Sequence, residues 1–339
     1  MKTKTISISG SDSMAYYAPM RLGTGAFAVL LGMLGSAWSQ PEKPKNFTGH
    51  TGTVYCLLLT PDGKTLLSGS EDGSIRVWDS EKVKEQRSFP GHEGGVRCMA
   101  FSKDGKTFVS GGADNIIRLW DFSKGKEIRA FDVHTENILT VAFMPDQKVV
   151  ASADAKLLRF WYVRSGSEGD WMDQEETAHA EPINSLSYSP DGKILATGSC
   201  DKTIKLWDVE EEEFLRVLKG HTDWVVHVLY GPDGKWLASA SRDNTVRLWD
   251  MTPEKEKLHA TLQGHTEGVY HVSFSADGKL LASAGGDETV RIWDVATGKE
   301  LKKLDQHRGP VRCVLFSPDT KFLYSGSTDK LIKRWALSE

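Results

Sequence analysis

The sequence predicts an all-β fold made of seven similar antiparallel sheets, and three features of its repeat pattern support this prediction. A histidine recurs seven times, at intervals of 42 to 45 residues. An aspartate follows each of these histidines after twelve residues, and a tryptophan follows after 27 or 28. Short apolar and β-branched runs of strand length lie between these markers. A period in the low forties indicates a repeat architecture. The seven histidines are His50, His92, His134, His179, His221, His265 and His307.

The sixth repeat, residues 264–294, shows how each unit divides into strands. Residues 269–275 and 280–284 are apolar runs separated by a glycine-containing turn, which predicts a β-hairpin. A third strand is predicted at 289–293 and a fourth at 300–305. Four antiparallel strands in about 42 residues is the pattern of one blade of a β-propeller.

The repeats resemble WD repeats of the WD40 family. A Trp-Asp pair ends five repeats, at tryptophans 78, 120, 207, 249 and 293, and a Gly-His pair opens four, at glycines 49, 91, 220 and 264. The resemblance covers seven repeats, from about residue 46 to 339, and implies a seven-bladed β-propeller of four-stranded antiparallel blades. The seventh repeat stops before its own fourth strand. We therefore expect the N-terminal strand, at 42–48, to join the last blade and close the ring.

The resemblance also implies a buried tetrad of hydrogen-bonding side chains in each blade, consisting of a His, a Ser or Thr, an Asp and a Trp. Such groups can satisfy one another away from water. We interpret them as structural rather than as hydrolase triads, because near-identical copies recur around the ring. The tetrads are His50, Ser68, Asp72 and Trp78; His92, Ser110, Asp114 and Trp120; His179, Thr197, Asp201 and Trp207; His221, Ser239, Asp243 and Trp249; His265, Ser283, Asp287 and Trp293; and His307, Ser325, Asp329 and Trp335.

The third repeat departs from this pattern. Asp154 precedes Trp161 by seven residues rather than six, and Tyr162 replaces the aspartate of the Trp-Asp pair. The sequence leaves open whether this blade keeps its tetrad, and we expect it to be less ordered than the others.

Residues 1–39 lie outside the repeats and predict a cleaved signal peptide. Arg21 precedes an apolar run at 26–34, and small residues follow at Ala37 and Ser39. The run is too short for a transmembrane helix. We expect a mature propeller of residues 40–339 without a membrane span, exported to the periplasm or the extracellular space. Because the charged region before the apolar run is long, either residues 1–19 are an extension or the protein starts at Met20. The alternative is a cytoplasmic scaffold subunit.

Composition and spacing argue against several kinds of ligand. The formal net charge is −4, whereas nucleic-acid binding needs a basic surface. No cysteine and histidine spacing matches a haem or zinc site, so we expect no cofactor and no metal. Cys200 is expected to be exposed in a turn. His227 and His271 occupy the same position of adjacent repeats. Polar packing is our interpretation of this pair; a metal-binding pair and a central-channel enzyme or small-ligand site are the alternatives.

The positions three and five residues after each anchor histidine differ from blade to blade. The resemblance implies that these positions surround the mouth of the central channel and contact partners. Trp, Tyr and Arg are residue types that anchor interfaces. We predict a non-catalytic scaffold, monomeric or part of a complex, that binds a protein or peptide through this face. The candidates are Tyr55, Arg97, Trp224, Tyr270 and Arg312. Acidic outer loops at 168–176 and 210–213 are a second candidate surface.

Overall fold

A computed structural model describes residues 43–132, 134–155, 157–169, 179–252 and 257–337. The described residues form seven antiparallel sheets, and the innermost strands of neighbouring sheets contact one another in a closed ring. The seven-bladed propeller predicted from the repeats is therefore confirmed. No helix among the described residues is long and apolar enough to cross a membrane.

Blades one to six run in chain order from the innermost strand outwards, and blade seven adds the N-terminal strand at its outer edge. Blades one and two contain β2 (Val54–Leu59), β3 (Thr65–Ser70), β4 (Ile75–Asp79), β5 (Lys84–Phe89), β6 (Val96–Phe101), β7 (Thr107–Gly112), β8 (Ile116–Asp121) and β9 (Lys126–Asp132). Blades three and four contain β10 (Thr140–Phe143), β11 (Val149–Ala153), β12 (Leu158–Tyr162), β13 (Ile183–Tyr188), β14 (Ile194–Ser199), β15 (Ile204–Asp208) and β16 (Phe214–Leu218).

The remaining blades follow the same order. Blades five and six contain β17 (Val225–Tyr230), β18 (Trp236–Ser241), β19 (Thr245–Asp250), β20 (Lys257–Gln263), β21 (Val269–Phe274), β22 (Leu280–Gly285), β23 (Val290–Asp294) and β24 (Glu300–Leu304). Blade seven contains β25 (Val311–Phe316), β26 (Phe322–Ser327), β27 (Ile332–Ala336) and, as its outermost strand, β1 (Lys45–Phe47).

Strand β1 closes the ring as predicted. It pairs antiparallel with β27, with Lys45 opposite Arg334 and Phe47 opposite Ile332. The Phe47 ring is buried and packs edge-on against the indole of Trp78 in blade one, with centroids 5.6 Å apart. The two ends of the repeat array are thus joined by backbone hydrogen bonds and by apolar burial.

Blade three differs from the other blades in the part of the chain that the structure describes. Its sheet there has three strands, β10, β11 and β12. A single bridge between Trp161 and Glu168 lies where an outer strand would begin. The segment 170–178 lies outside the described residues.

The hydrophobic core is divided among the spaces between adjacent blades. Between blades five and six, Val246 and Leu248 pack with Val269, Leu281 and Trp293 of the next blade, and all five are buried. Equivalent clusters fill the other interfaces around the ring. Because each sheet is covered on both faces, this packing leaves the two ends of the channel and the outer rim for binding.

Candidate functional site

The structure brings together the histidine and the aspartate of each of the six tetrads named above. In every case the imidazole Nδ1 lies 2.7–2.8 Å from a carboxylate oxygen. The Nδ1–H can therefore donate to the carboxylate, which fixes the tautomer of the ring. The pairs are His50 with Asp72, His92 with Asp114, His179 with Asp201, His221 with Asp243, His265 with Asp287 and His307 with Asp329.

A hydroxyl group connects the other side of each imidazole to the tryptophan of the same blade. It lies 2.7–2.8 Å from the His Nε2 and accepts a hydrogen bond from the Trp Nε1–H at 2.8–3.0 Å. The hydroxyl can then donate to Nε2, so every group is satisfied. Trp78 donates to Ser68, Trp120 to Ser110, Trp207 to Thr197, Trp249 to Ser239, Trp293 to Ser283 and Trp335 to Ser325.

The pKa values agree with a neutral histidine in this network. Burial lowers the pKa of His50 although Asp72 acts in the opposite direction. Burial would raise the pKa of Asp72, but hydrogen bonds from Ser74, Thr51 and His50 outweigh it and hold that pKa well below its usual range. A neutral imidazole has one donor and one acceptor, as the chain of bonds requires.

The third blade also has a complete network, which corrects the doubt raised by its spacing. His134 contacts Asp154 and Ser152, each at 2.8 Å, and Trp161 donates to Ser152 at 2.8 Å. Asp154 is two residues after Ser152 rather than the usual four. A shortened turn, in which Leu157 N–H donates to Asp154 Oδ1 at 2.7 Å, places the carboxylate beside the imidazole. The geometry of the tetrad is kept although the residue count changes.

A repeated ion pair covers several tetrads, and sequence reasoning missed it. Arg76 bonds to Glu85 at 2.6 Å, and Arg118 bonds to Glu127 at 2.8 Å. The signal was present in the sequence, since each Arg precedes the blade's Trp by two residues and each Glu follows it by seven. Equivalent pairs are Arg159 with Glu168 and Arg291 with Glu300.

Four of the five predicted partner-binding residues occupy β-bulges at the start of innermost strands. The strand register shifts across Tyr55, Arg97, Tyr270 and Arg312, so each is the extra residue of its bulge. A bulge bends the strand and re-aims the side chain. All four side chains are half-buried at the end of the channel where the innermost strands begin. We call this end the channel mouth.

At the channel mouth, an arginine guanidinium group stacks on each of three aromatic rings. Arg97 lies over Tyr55 with its Cζ 4.4 Å from the ring centroid, and Arg312 lies over Tyr270 at 4.2 Å. Both stacks bridge neighbouring blades. These contacts are in the range of cation–π attraction. The structure therefore joins the predicted residues of blades one and two, and those of blades six and seven, into two pairs.

Trp224 forms the third stack, with a residue that sequence reasoning missed. Arg242 lies over its indole with the Cζ 4.1 Å from the ring centroid. The turn between β18 and β19 places Arg242 there, because its backbone N–H donates to the Trp224 carbonyl at 2.9 Å. The Trp224 side chain remains 39% exposed. No described contact joins this stack to the other two.

The remaining candidates are structural or lie away from the mouth. His227 and His271 stack on adjacent innermost strands, and no group of three or more metal-ligating side chains occurs among the described residues. Cys200 is buried rather than exposed, because Asn184 covers it and donates to its Sγ at 3.2 Å. In the acidic loop at 168–176, Glu168 pairs with Arg159, and residues 170–176 lie outside the described residues.

Curated relatives match this chain over short stretches. Nuclear distribution protein nudF 2 of Penicillium rubens is 38% identical over 63 residues, which are 17% of this chain and 14% of that protein. General transcriptional corepressor TUP1 of Saccharomyces cerevisiae is 49% identical over 39 residues, 12% of this chain and 6% of that protein. Probable serine/threonine-protein kinase PkwA of Thermomonospora curvata is 52% identical over 40 residues, 12% of this chain and 5% of that protein. The chain thus spans only a small part of each of these relatives.

The family comparison covers most of the chain. The sequence model described as WD domain, G-beta repeat matches it seven times, and each match includes the three inner strands of one blade. The matched residues are 41–79, 83–121, 125–162, 173–208, 212–250, 256–294 and 298–336. With seven sheets in a closed ring and the tetrads in place, the chain belongs to the WD40 family of WD-repeat β-propellers.

Proposed function

We propose that this protein is a non-catalytic scaffold that binds another protein or a peptide through its channel mouth. The proposal rests on the positions at which the blades differ in sequence. Their turns, tetrads and cores repeat, whereas the bulged position of the innermost strand holds Tyr, Arg, Asn or Val according to the blade. Packing does not require this variation, so these positions are free to specify a partner.

The chemistry of the mouth suits a protein interface. Tyr, Trp and Arg are enriched among residues that dominate binding energy. Stacking on Tyr55 and Tyr270 holds the guanidinium groups of Arg97 and Arg312 in place before a partner arrives. A preorganised side chain loses less conformational entropy on binding. The exposed Trp224 adds apolar area at the same end of the propeller.

The non-catalytic part of the proposal rests on how the titratable groups are used. The Ser, His and Asp side chains of the tetrads are bonded to one another in the blade interiors, where they stabilise the fold. The alternative of a channel enzyme depended on His227 and His271. Their imidazole rings stack on each other and pack two neighbouring innermost strands together, which is a structural role.

Export is part of the proposal and is supported by the sequence of residues 1–39, which lie outside the described residues. The apolar run and the small residues Ala37 and Ser39 predict cleavage before Gln40. N-terminal sequencing of protein from the envelope or medium should begin at or near Gln40. Intact Met1 on protein recovered from the cytosol would contradict export.

Site-specific crosslinking tests the binding face. A photoreactive residue placed at Asn137, an exposed mouth position of blade three, should give a protein adduct in the native host. The same residue at Ile128, which is 51% exposed on the outer strand β9, is the matched control. Adducts from Ile128 at equal yield, or none from Asn137, would contradict binding through the mouth.

A further inference from the structure

The three stacked arginines at the channel mouth differ from most of the other arginines described above in having no anionic partner. Among the described residues, none of Arg97, Arg242 and Arg312 makes a hydrogen bond or an ion pair through its guanidinium. Unused donors on fixed guanidinium groups favour an incoming anion. By contrast, the arginines that cover the tetrads each bond to a glutamate; these are Arg76, Arg118, Arg159 and Arg291.

Acidic residues also occur near the channel mouth on five of the blades. They lie one or two residues after the anchor histidine, in the loops that lead into the innermost strands. On blades seven and one, the corresponding loops hold Arg308, Thr51 and Gly52 instead. The acidic collar formed by these loops therefore skips blades seven and one, although the exposed Glu71 of blade one places a carboxylate on that side. Its members are Glu93, Glu136, Glu181, Asp223 and Glu267.

A carboxylate of the protein itself lies beside the arginines. Thr53 donates to Glu71 Oε2 from its backbone N–H at 3.2 Å and from its hydroxyl at 2.8 Å. Hydrogen bonds from Thr53, and then the charges of Arg97 and Arg312, lower the pKa of Glu71. Since Thr53 holds this carboxylate in place, Glu71 lowers the positive potential of the mouth without pairing with either arginine.

We propose that the mouth selects a narrow acidic segment of a protein partner, whose carboxylates bond to Arg97 and Arg312. The proposal rests on the proposed function and adds the chemistry of the ligand. A slender segment fits inside the collar and reaches the guanidinium groups. A broad anionic surface, such as a nucleic acid or an acidic membrane, meets the collar first and is repelled.

The test measures binding of a short rhodamine-labelled peptide of alternating Glu and Gly by fluorescence anisotropy. The control peptide has Gln in place of Glu. The full protein should bind the Glu peptide, and the Arg97→Ala/Arg312→Ala variant should bind it about tenfold more weakly. Lys279→Ala removes a positive charge from an exposed turn at the other end of the propeller and should leave affinity within about twofold.

The Glu71→Gln substitution should change the affinity for the Glu peptide in the opposite direction. Removing this negative charge should tighten binding of the Glu peptide about threefold. Thermal melting of each variant shows that it is folded. Equal binding of the Gln peptide, an unaltered affinity in the double arginine variant, or binding of oligouridylate or phosphatidylglycerol vesicles as tight as that of the peptide would overturn the proposal.

The outcome also separates this proposal from the proposed function. If a partner crosslinks at Asn137 but the Glu peptide does not bind, the acidic ligand is wrong and binding at the mouth stands. If partner adducts form only at Ile128, both proposals fail.

Discussion

The imidazole rings of His227 and His271 stack with their centroids 3.9 Å apart, on the innermost strands of blades five and six. The Nδ1 of His227 accepts a hydrogen bond from the Val272 N–H at 3.4 Å, and the Nδ1 of His271 is buried without a hydrogen-bond partner. No carboxylate contributes to either pKa. Burial lowers the pKa of His271 to about 4 and, together with the proximity of His271, lowers that of His227 well below its ordinary value. The pair packs as two neutral rings.

This pair makes stability depend on pH. The folded pKa of each histidine is below the unfolded value of 6.5, so the unfolded chain binds more protons in this range. The stabilisation is full above pH 6.5 and is lost as pH falls through the folded pKa. Urea melts should show the free energy of unfolding falling between about pH 6.5 and 4. The His227→Gln/His271→Gln variant should have a shallower slope there, and equal slopes would contradict this account.

The aspartates of the tetrads affect stability in a lower pH range. Burial opposes the ionisation of Asp201 and Asp329, but bonds from His179 and from His307 outweigh it and hold the pKa of each carboxyl at about 2, against a usual 3.8. A depressed carboxylate pKa stabilises the fold above the unfolded pKa, and this contribution is lost as pH falls towards 2. A second decline in stability should appear below about pH 4 in acid titrations followed by circular dichroism. Asp329→Asn should reduce it, and an unchanged acid midpoint would count against the tetrads as stabilising units.

Truncating the tetrad tryptophans tests whether blade three is equivalent to the others. Trp249→Ala removes a buried ring and leaves Ser239 without its donor, which should cost about 3–5 kcal/mol. Trp161→Ala should cost a similar amount, because Trp161 is equally buried and bonds to Ser152. Trp224→Ala, at an exposed ring, should cost less than about 1 kcal/mol. A clearly smaller loss at Trp161 in urea melts would show that blade three contributes less than its hydrogen bonds indicate.

Because strand β1 closes the ring, we predict that a substitution in this short strand has a large effect on the free energy of unfolding. Phe47→Ala removes a fully buried ring that contacts both Trp78 and Tyr324, and should cost about 3–5 kcal/mol. Lys45→Ala, at an exposed position of the same strand, is the control and should change stability by less than about 0.5 kcal/mol. Equal effects would mean that β1 does not hold the first and last blades together.

The sequence predicted the fold well because its signals are local and repeated. The Asp-Gly turns work through backbone geometry, as at Gly278, whose φ of +69° suits glycine. The third tetrad could not be judged, because counting residues says nothing of how a shortened turn places Asp154. Arg242 was missed for a similar reason. It precedes Asp243 in a turn, and only the hydrogen bond to Trp224 shows that the turn folds over the indole.

The most direct test of the central claim is the affinity of the mouth variants for a partner captured at the mouth. Trp224→Ala and Arg97→Ala should each weaken binding by about 1–3 kcal/mol while leaving the thermal melting curve nearly unchanged. Ile128→Ala, on the outer rim, should bind as the unaltered protein does. If both mouth variants retain full affinity, the channel mouth is not the binding surface and the account is contradicted.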